Sequence, residues 1–159
     1  KNIMMHTWFE CKIRYEKTME NGMNKKVTEP YLVDALSFTE AEARIIEEMT
    51  PYISGEFTVS DIKRAKYSEL FFAEDTESDR WFKCKLTFIT LDEKSGAEKK
   101  TSTNVLVQAT DLRDAVKKLD EGMKGSMADY IISSVAETAI MDVYPYSEGP
   151  NDKPEFPGA

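Results

Sequence analysis

Apolar side chains fall at every second position over Phe9, Cys11, Ile13 and Tyr15, with Trp8, Glu10, Lys12 and Arg14 between them. That alternation predicts a strand from Thr7 to Lys17, the first set turned to a core and the second to solvent. Residues 18–24 hold asparagine and glycine and suit a hairpin loop. A second strand is expected over 26–36, with Val27, Tyr31, Val33 and Ala35 on one face. Pro30 cannot donate to a ladder, so this strand lies at an edge or is broken there. The period then changes. Phe38, Ala41, Ile45 and Met49 form a helical stripe, opened by the capping box Ser37-Phe38-Thr39-Glu40 and closed by Pro51 and Gly55. Residues 56–73 read as strand.

The chain then says nearly the same thing again. Trp81-Phe82-Lys83-Cys84-Lys85-Leu86 repeats Trp8-Phe9-Glu10-Cys11-Lys12-Ile13. The match continues through a glycine turn, a lysine pair (Lys25-Lys26, Lys99-Lys100), an apolar run and a capped helix starting at Asp111. Beyond the helices the offset drifts, with Ile62 set against Ile132. Residues 129–146 suit a strand, although 128–139 also suits a helix.

The expected fold class is α+β: an internal duplication of a strand–strand–helix–strand unit with pseudo-twofold symmetry, one helix covering an antiparallel sheet in each repeat. The divisions are an N-terminal extension at 1–6, a first repeat at 7–72, a linker at 73–80, a second repeat at 81–146 and a disordered tail at 147–159.

Composition narrows the function classes. The net charge is −8 in 159 residues, with acid in excess in both halves, which argues against a duplex-DNA binder coated in basic residues. No apolar run reaches the roughly 20 residues of a membrane span, and the first residues carry no signal-peptide core. Two cysteines at matching strand positions read as small buried side chains in a reducing, cytoplasmic setting.

Catalytic patterns do not emerge. His6 lies in the N-terminal extension, and no zinc, P-loop or dinucleotide-binding motif occurs. The expectation is a non-enzymatic protein without cofactor or metal. One constellation points to ligands: Trp8 with Lys12 and Arg14, and Trp81 with Lys83 and Lys85, on the outward sheet faces. A ring beside cations on an open strand can stack a base and neutralise a phosphate. The plainer reading of the same residues is tryptophan packed over a sheet edge beside ordinary solvated lysines.

The runs Trp8–Tyr15, Tyr31-Leu32-Val33-Asp34-Ala35-Leu36-Ser37-Phe38-Thr39-Glu40-Ala41-Glu42-Ala43-Arg44 and Leu91-Asp92-Glu93-Lys94-Ser95-Gly96 resemble an uncharacterised domain family of gut Bacteroidetes and their phages, crAss-like ones included. The resemblance covers about 8–146 and brings no reaction or catalytic residues. It implies mobile-element biology. Two functions are therefore expected: binding of single-stranded nucleic acid or nucleotide through the sheet, or a protein–protein module acting as an oligomeric regulator or inhibitor. A homo-oligomer is expected in either case.

Overall fold

The computed structural model describes residues 7–145. The expectations for the N-terminal extension with His6, and for a disordered tail, fall outside these residues. Among them the elements run β1 (Trp8–Thr18), β2 (Asn24–Asp34), α1 (Phe38–Met49), β3 (Phe57–Ala65), β4 (Glu69–Phe71), β5 (Arg80–Leu91), β6 (Glu98–Ala109), α2 (Leu112–Gly122), β7 (Tyr130–Glu137) and β8 (Val143–Tyr144). This is a mixed α+β architecture of two four-stranded sheets, ordered β3-β1-β2-β8 and β4-β6-β5-β7. The chain groups into two compact units, residues 7–65 with 142–145 and residues 66–141.

In the first unit, β1 pairs antiparallel with β2 on one side and β3 on the other. Phe9, Cys11, Ile13, Val33 and Ala35 meet Ala41, Ile45 and Met49 of α1 in a closed core. Alternation along β1 put the first three of these inward, and the 3.6-residue period selected the helix stripe. Ser37 caps α1 by accepting from the Glu40 amide at 3.1 Å. Glu40 reaches back to the Leu36 amide at 2.8 Å, one residue before the serine amide that the capping box names. Phe38 stands at the edge of the stripe, half exposed, its ring meeting Phe9 edge-on at 4.9 Å. Pro30 lies within an unbroken β2, opposite Lys12. The ladder tolerates it because β8 pairs only with Leu32 and Val33, which leaves the other side of Pro30 without a strand partner among the described residues.

The second unit has the same plan. Cys84, Leu86, Val105 and Val107 pack on Leu119, while Phe82 and Ala109 pack on Ala115. Asp111 caps α2 through the Asp114 amide at 2.8 Å. Residues 130–137 are strand, so the helical alternative for 128–139 does not hold. The branched Ile131, Ile132 and Val135 favour the pleat. Burial raises the Cys11 thiol to about 12, with Glu10 adding to the effect, and raises Cys84 to about 11. Each behaves as a small apolar core residue.

Two details depart from the sequence reading. Residues 66–72, expected in the first repeat, belong with the second sheet: β4 runs parallel to β6, pairing Leu70 with Leu106 and Phe71 with Val107. In the same way β8, expected in the second repeat, runs parallel to β2 in the first sheet. The offset after the helices also does not drift. Ile13 and Cys11 pair with Val59 and Ile62, and Leu86 and Cys84 pair with Ile132 and Val135. Ile62 thus corresponds to Val135 rather than to Ile132. Ser60 and Ser133 are the extra residues where each register shifts.

Candidate ligand-binding face

In the second unit α2 covers one face of the sheet and leaves the other to the alternate residues of each strand. On that helix-free face β5 presents Trp81, Lys83, Lys85 and Thr87, opposite Gln108, Leu106, Asn104 and Ser102 of β6. Lys100 follows opposite Ile89. Ser134 and Ala136 of β7 flank Lys85 and Lys83. The hydroxyls are tied to one another: Thr87 Oγ1 lies 2.6 Å from Ser133 Oγ and 3.3 Å from Ser102 Oγ. Lys83, Lys85 and Lys100 are exposed and make no ion pair among the described residues. The only carboxylate that alternation places on this face of β5, β6 or β7 is Glu98, at its far end opposite Leu91. The result is a cationic, hydroxyl-rich strip in an acidic chain.

The corresponding face of the first unit differs. Lys12 lies opposite Pro30 and Asp61, and Arg14 opposite Thr28 and Thr58. Glu10, Glu16 and Asp61 share the face with Lys12, Arg14, Lys26 and Lys63, and Lys63 contacts Glu10 at 3.9 Å. Arg14 also lines an open cleft of about 840 Å³ with Lys26, Glu16 and Glu56, where acid balances base. The twin cationic platforms expected from the repeat are therefore unequal. Only the second sheet has a strip with its cations unopposed.

The tryptophans require a correction. Trp8 is 5 % exposed and Trp81 2 %, so neither ring is an open stacking platform. An indole buries roughly 200 Å², worth about 5 kcal/mol at about 25 cal/mol per Å² as an upper bound, a strong reason to enclose it. Phe72 meets the Trp81 ring edge-on at 5.4 Å. The Trp81 carbonyl accepts from both the amide and the hydroxyl of Thr138 at 2.9 Å. Period-2 alternation places Trp81, Lys83 and Lys85 on one face correctly, but it cannot report that the face is covered at Trp81 and at Leu106, opposite Lys83, and open only from the lysine side chains toward Lys85 and Lys100. In the sequence Lys100 stands out only as half of the repeated lysine pair; the β5–β6 register brings it into line with Lys83 and Lys85.

A second polar cluster was not foreseen. Lys118 Nζ donates to Asp75 Oδ2 at 2.9 Å and to the buried Ser78 Oγ at 2.5 Å, and lies 3.0 Å from Asp114 Oδ2. A serine beside a lysine suggests a nucleophile and its base. Here burial opposes the ammonium charge, but its hydrogen bonds to the accepting carboxylates of Asp75 and Asp114 outweigh it and hold the Lys118 pKa above its ordinary value. A lysine so held keeps its proton, and the cluster ties residues 75–78 to α2. The one legible signal was the Asp114–Lys118 spacing of four along a helix. Among the described residues no group of three or more His, Cys, Asp or Glu is placed to hold a metal ion, and no helix is long and apolar enough to cross a membrane.

The class so defined is a small α+β domain of two helix-covered sheets, one of them with an open cationic strip. Residues 7–146 match a domain of unknown function, DUF4494, and the chain belongs to that family. No curated protein and no solved structure matches the chain.

Proposed function

We propose that this is a non-enzymatic binding protein that takes single-stranded nucleic acid or a nucleotide on the helix-free face of its second sheet. The observation that carries this reading is the set of three exposed lysines, Lys83, Lys85 and Lys100, without opposing carboxylates in a chain of net charge −8. Asn104, Ser102 and Thr87 lie between them and can donate to phosphate or sugar oxygens. The binding is to the backbone rather than the bases, because the rings that would have stacked bases are enclosed. The matching register of the two sheets favours an internal duplication with pseudo-twofold symmetry, in which one copy kept the cationic strip. The resemblance to domains of gut Bacteroidetes and their phages favours a role in mobile-element biology in the cytoplasm.

The test is fluorescence anisotropy of a labelled single-stranded oligonucleotide, preceded by the A260/A280 ratio of freshly purified protein. Three phosphate contacts predict a log–log salt slope of about −2 for a single strand. Lys83→Glu with Lys85→Glu should weaken binding by about tenfold or more and flatten the slope. No binding at low salt, or equal affinity of the double variant, would overturn the reading. The second function, an oligomeric regulator, is favoured by a separate feature, the outer edge of β7.

A further inference from the structure

Among the described residues β7 is the last strand of its sheet, so one row of its backbone donors and acceptors has no strand partner there. Such edges are normally blunted by charge or proline. β3, the corresponding edge of the first sheet, follows this rule with Asp61, Lys63 and Arg64. β7 shares with β3 an extra residue at its register shift, Ser133, but from Tyr130 to Ala136 it carries no charged side chain and no proline, and Glu137 stands alone at its end. Ile131 is 52 % exposed on this strand, and Ser133, Ser134 and Ala136 are exposed as well. The edge is open and uncharged.

We propose that the β7 edge is a strand-pairing surface whose occupant is the β7 of a second copy, antiparallel about a twofold axis between Ser133 and Ser134. Three features of the strand select this occupant. Its polarity reads alike from both ends, Ile131-Ile132-Ser133-Ser134-Val135-Ala136, so the axis sets Ile132 against Val135 and Ile131 against Ala136. Faces agree in the same register. Ile132 and Val135 pair with Leu86 and Cys84 on the helix-covered side, whereas Ile131, Ser134 and Ala136 pair with Thr87, Lys85 and Lys83 on the open side. A shift of one residue would set covered side chains against open ones. The antiparallel arrangement also carries the two Glu137 side chains to opposite ends, roughly 24 Å apart at about 3.4 Å per residue, so like charges do not meet. Two four-stranded sheets then continue as one across the axis. A strand pair of eight residues falls short of the roughly 1,600 Å² of a standard interface, so a dissociation constant in the micromolar range is expected.

This inference does not depend on the ligand reading, and its test uses no ligand. Sedimentation velocity over a series spanning the micromolar range should show a reversible monomer–dimer equilibrium. Ile131→Lys places an ammonium on the edge and should raise the dissociation constant by about tenfold or more, whereas Ser60→Lys on β3 should leave it unchanged. The variant Ile131→Cys with Ala136→Cys checks the register, because directly opposed residues lie about 4.5–5.5 Å apart, within disulfide reach. It should form a covalent dimer on mild oxidation, and this result decides the matter if Ile131→Lys fails to fold. A monomer at every concentration would overturn the proposal. So would a dimer that ignores Ile131→Lys and forms no cross-link, since its interface would then lie elsewhere.

Discussion

At the residue scale, Lys118 shows how one ammonium can fasten a segment to a helix. Asp75, hydrogen-bonded first by Lys118 and then by Ser78, has its carboxyl held well below the usual range. Asp114 is lowered chiefly by the Thr110 amide, with Lys118 adding to it. Arg44 occupies the matching helix position in the first unit and donates to the carbonyls of Asp34 and Pro145. In each unit, then, a helix cation grips the segment that follows a short parallel strand. Depressed carboxylates stabilise the fold above the ordinary carboxylate range, and that contribution is lost as pH falls through their folded values. The raised Lys118 contributes below the ordinary lysine value and loses it as pH rises through the folded one. Lys118→Met should therefore cost about 1 kcal/mol near neutrality, a modest figure because the cluster is partly screened by solvent. The difference from the parent should begin to shrink below about pH 4, where these carboxylates protonate in the unfolded chain, and vanish as pH falls further through their lowered folded values. Urea midpoints across pH check this, and a constant difference at all pH values would show that the cluster is not electrostatic.

At the element scale, what could be read in advance and what could not have separate physical causes. Ser37 and Asp111 announced both helices because a cap is a local hydrogen bond. Phe9, Cys11 and Ile13 announced the core face because alternation is a local property of a strand. The fate of Trp8 and Trp81 was not legible, since alternation assigns a side but not what lies on it. Nor were β4 and β8, whose three and two residues are too short to show a period. β4 is held instead by shape. An added Cβ at Gly122, in the last turn of α2, would come within 2.8–2.9 Å of the Phe71 ring. Gly122→Ala should thus force the ring aside and cost about 1–3 kcal/mol despite the better helix propensity of alanine. A thermal midpoint at or above the parent's would show that Phe71 yields freely.

At the scale of the whole molecule, neither sheet is completed by the strands that an unbroken repeat would supply. Sheet one takes β8 from beyond β7, and sheet two takes β4 from before β5. The second unit is nevertheless one continuous stretch, whereas the first needs residues from both sides of it. This asymmetry makes the first sheet the one exposed to loss at the C-terminal side. β8 supplies the buried Val143 and stacks Tyr144 on Tyr31 at 6.2 Å, and the Asp142 carbonyl accepts from the Leu32 amide at 3.0 Å. Ending the chain at Met141 removes that apolar cover, the ring stack and the Pro145 carbonyl held by Arg44, at a combined cost of about 3–5 kcal/mol. The loss should be local. Hydrogen exchange at Leu32 and Val33 should accelerate, while the β5–β6 ladder from Cys84 to Val105 keeps its protection. Equal loss in both sheets would mean that the two units unfold as one, and β8 would then be a strut for the whole chain rather than for the sheet it completes.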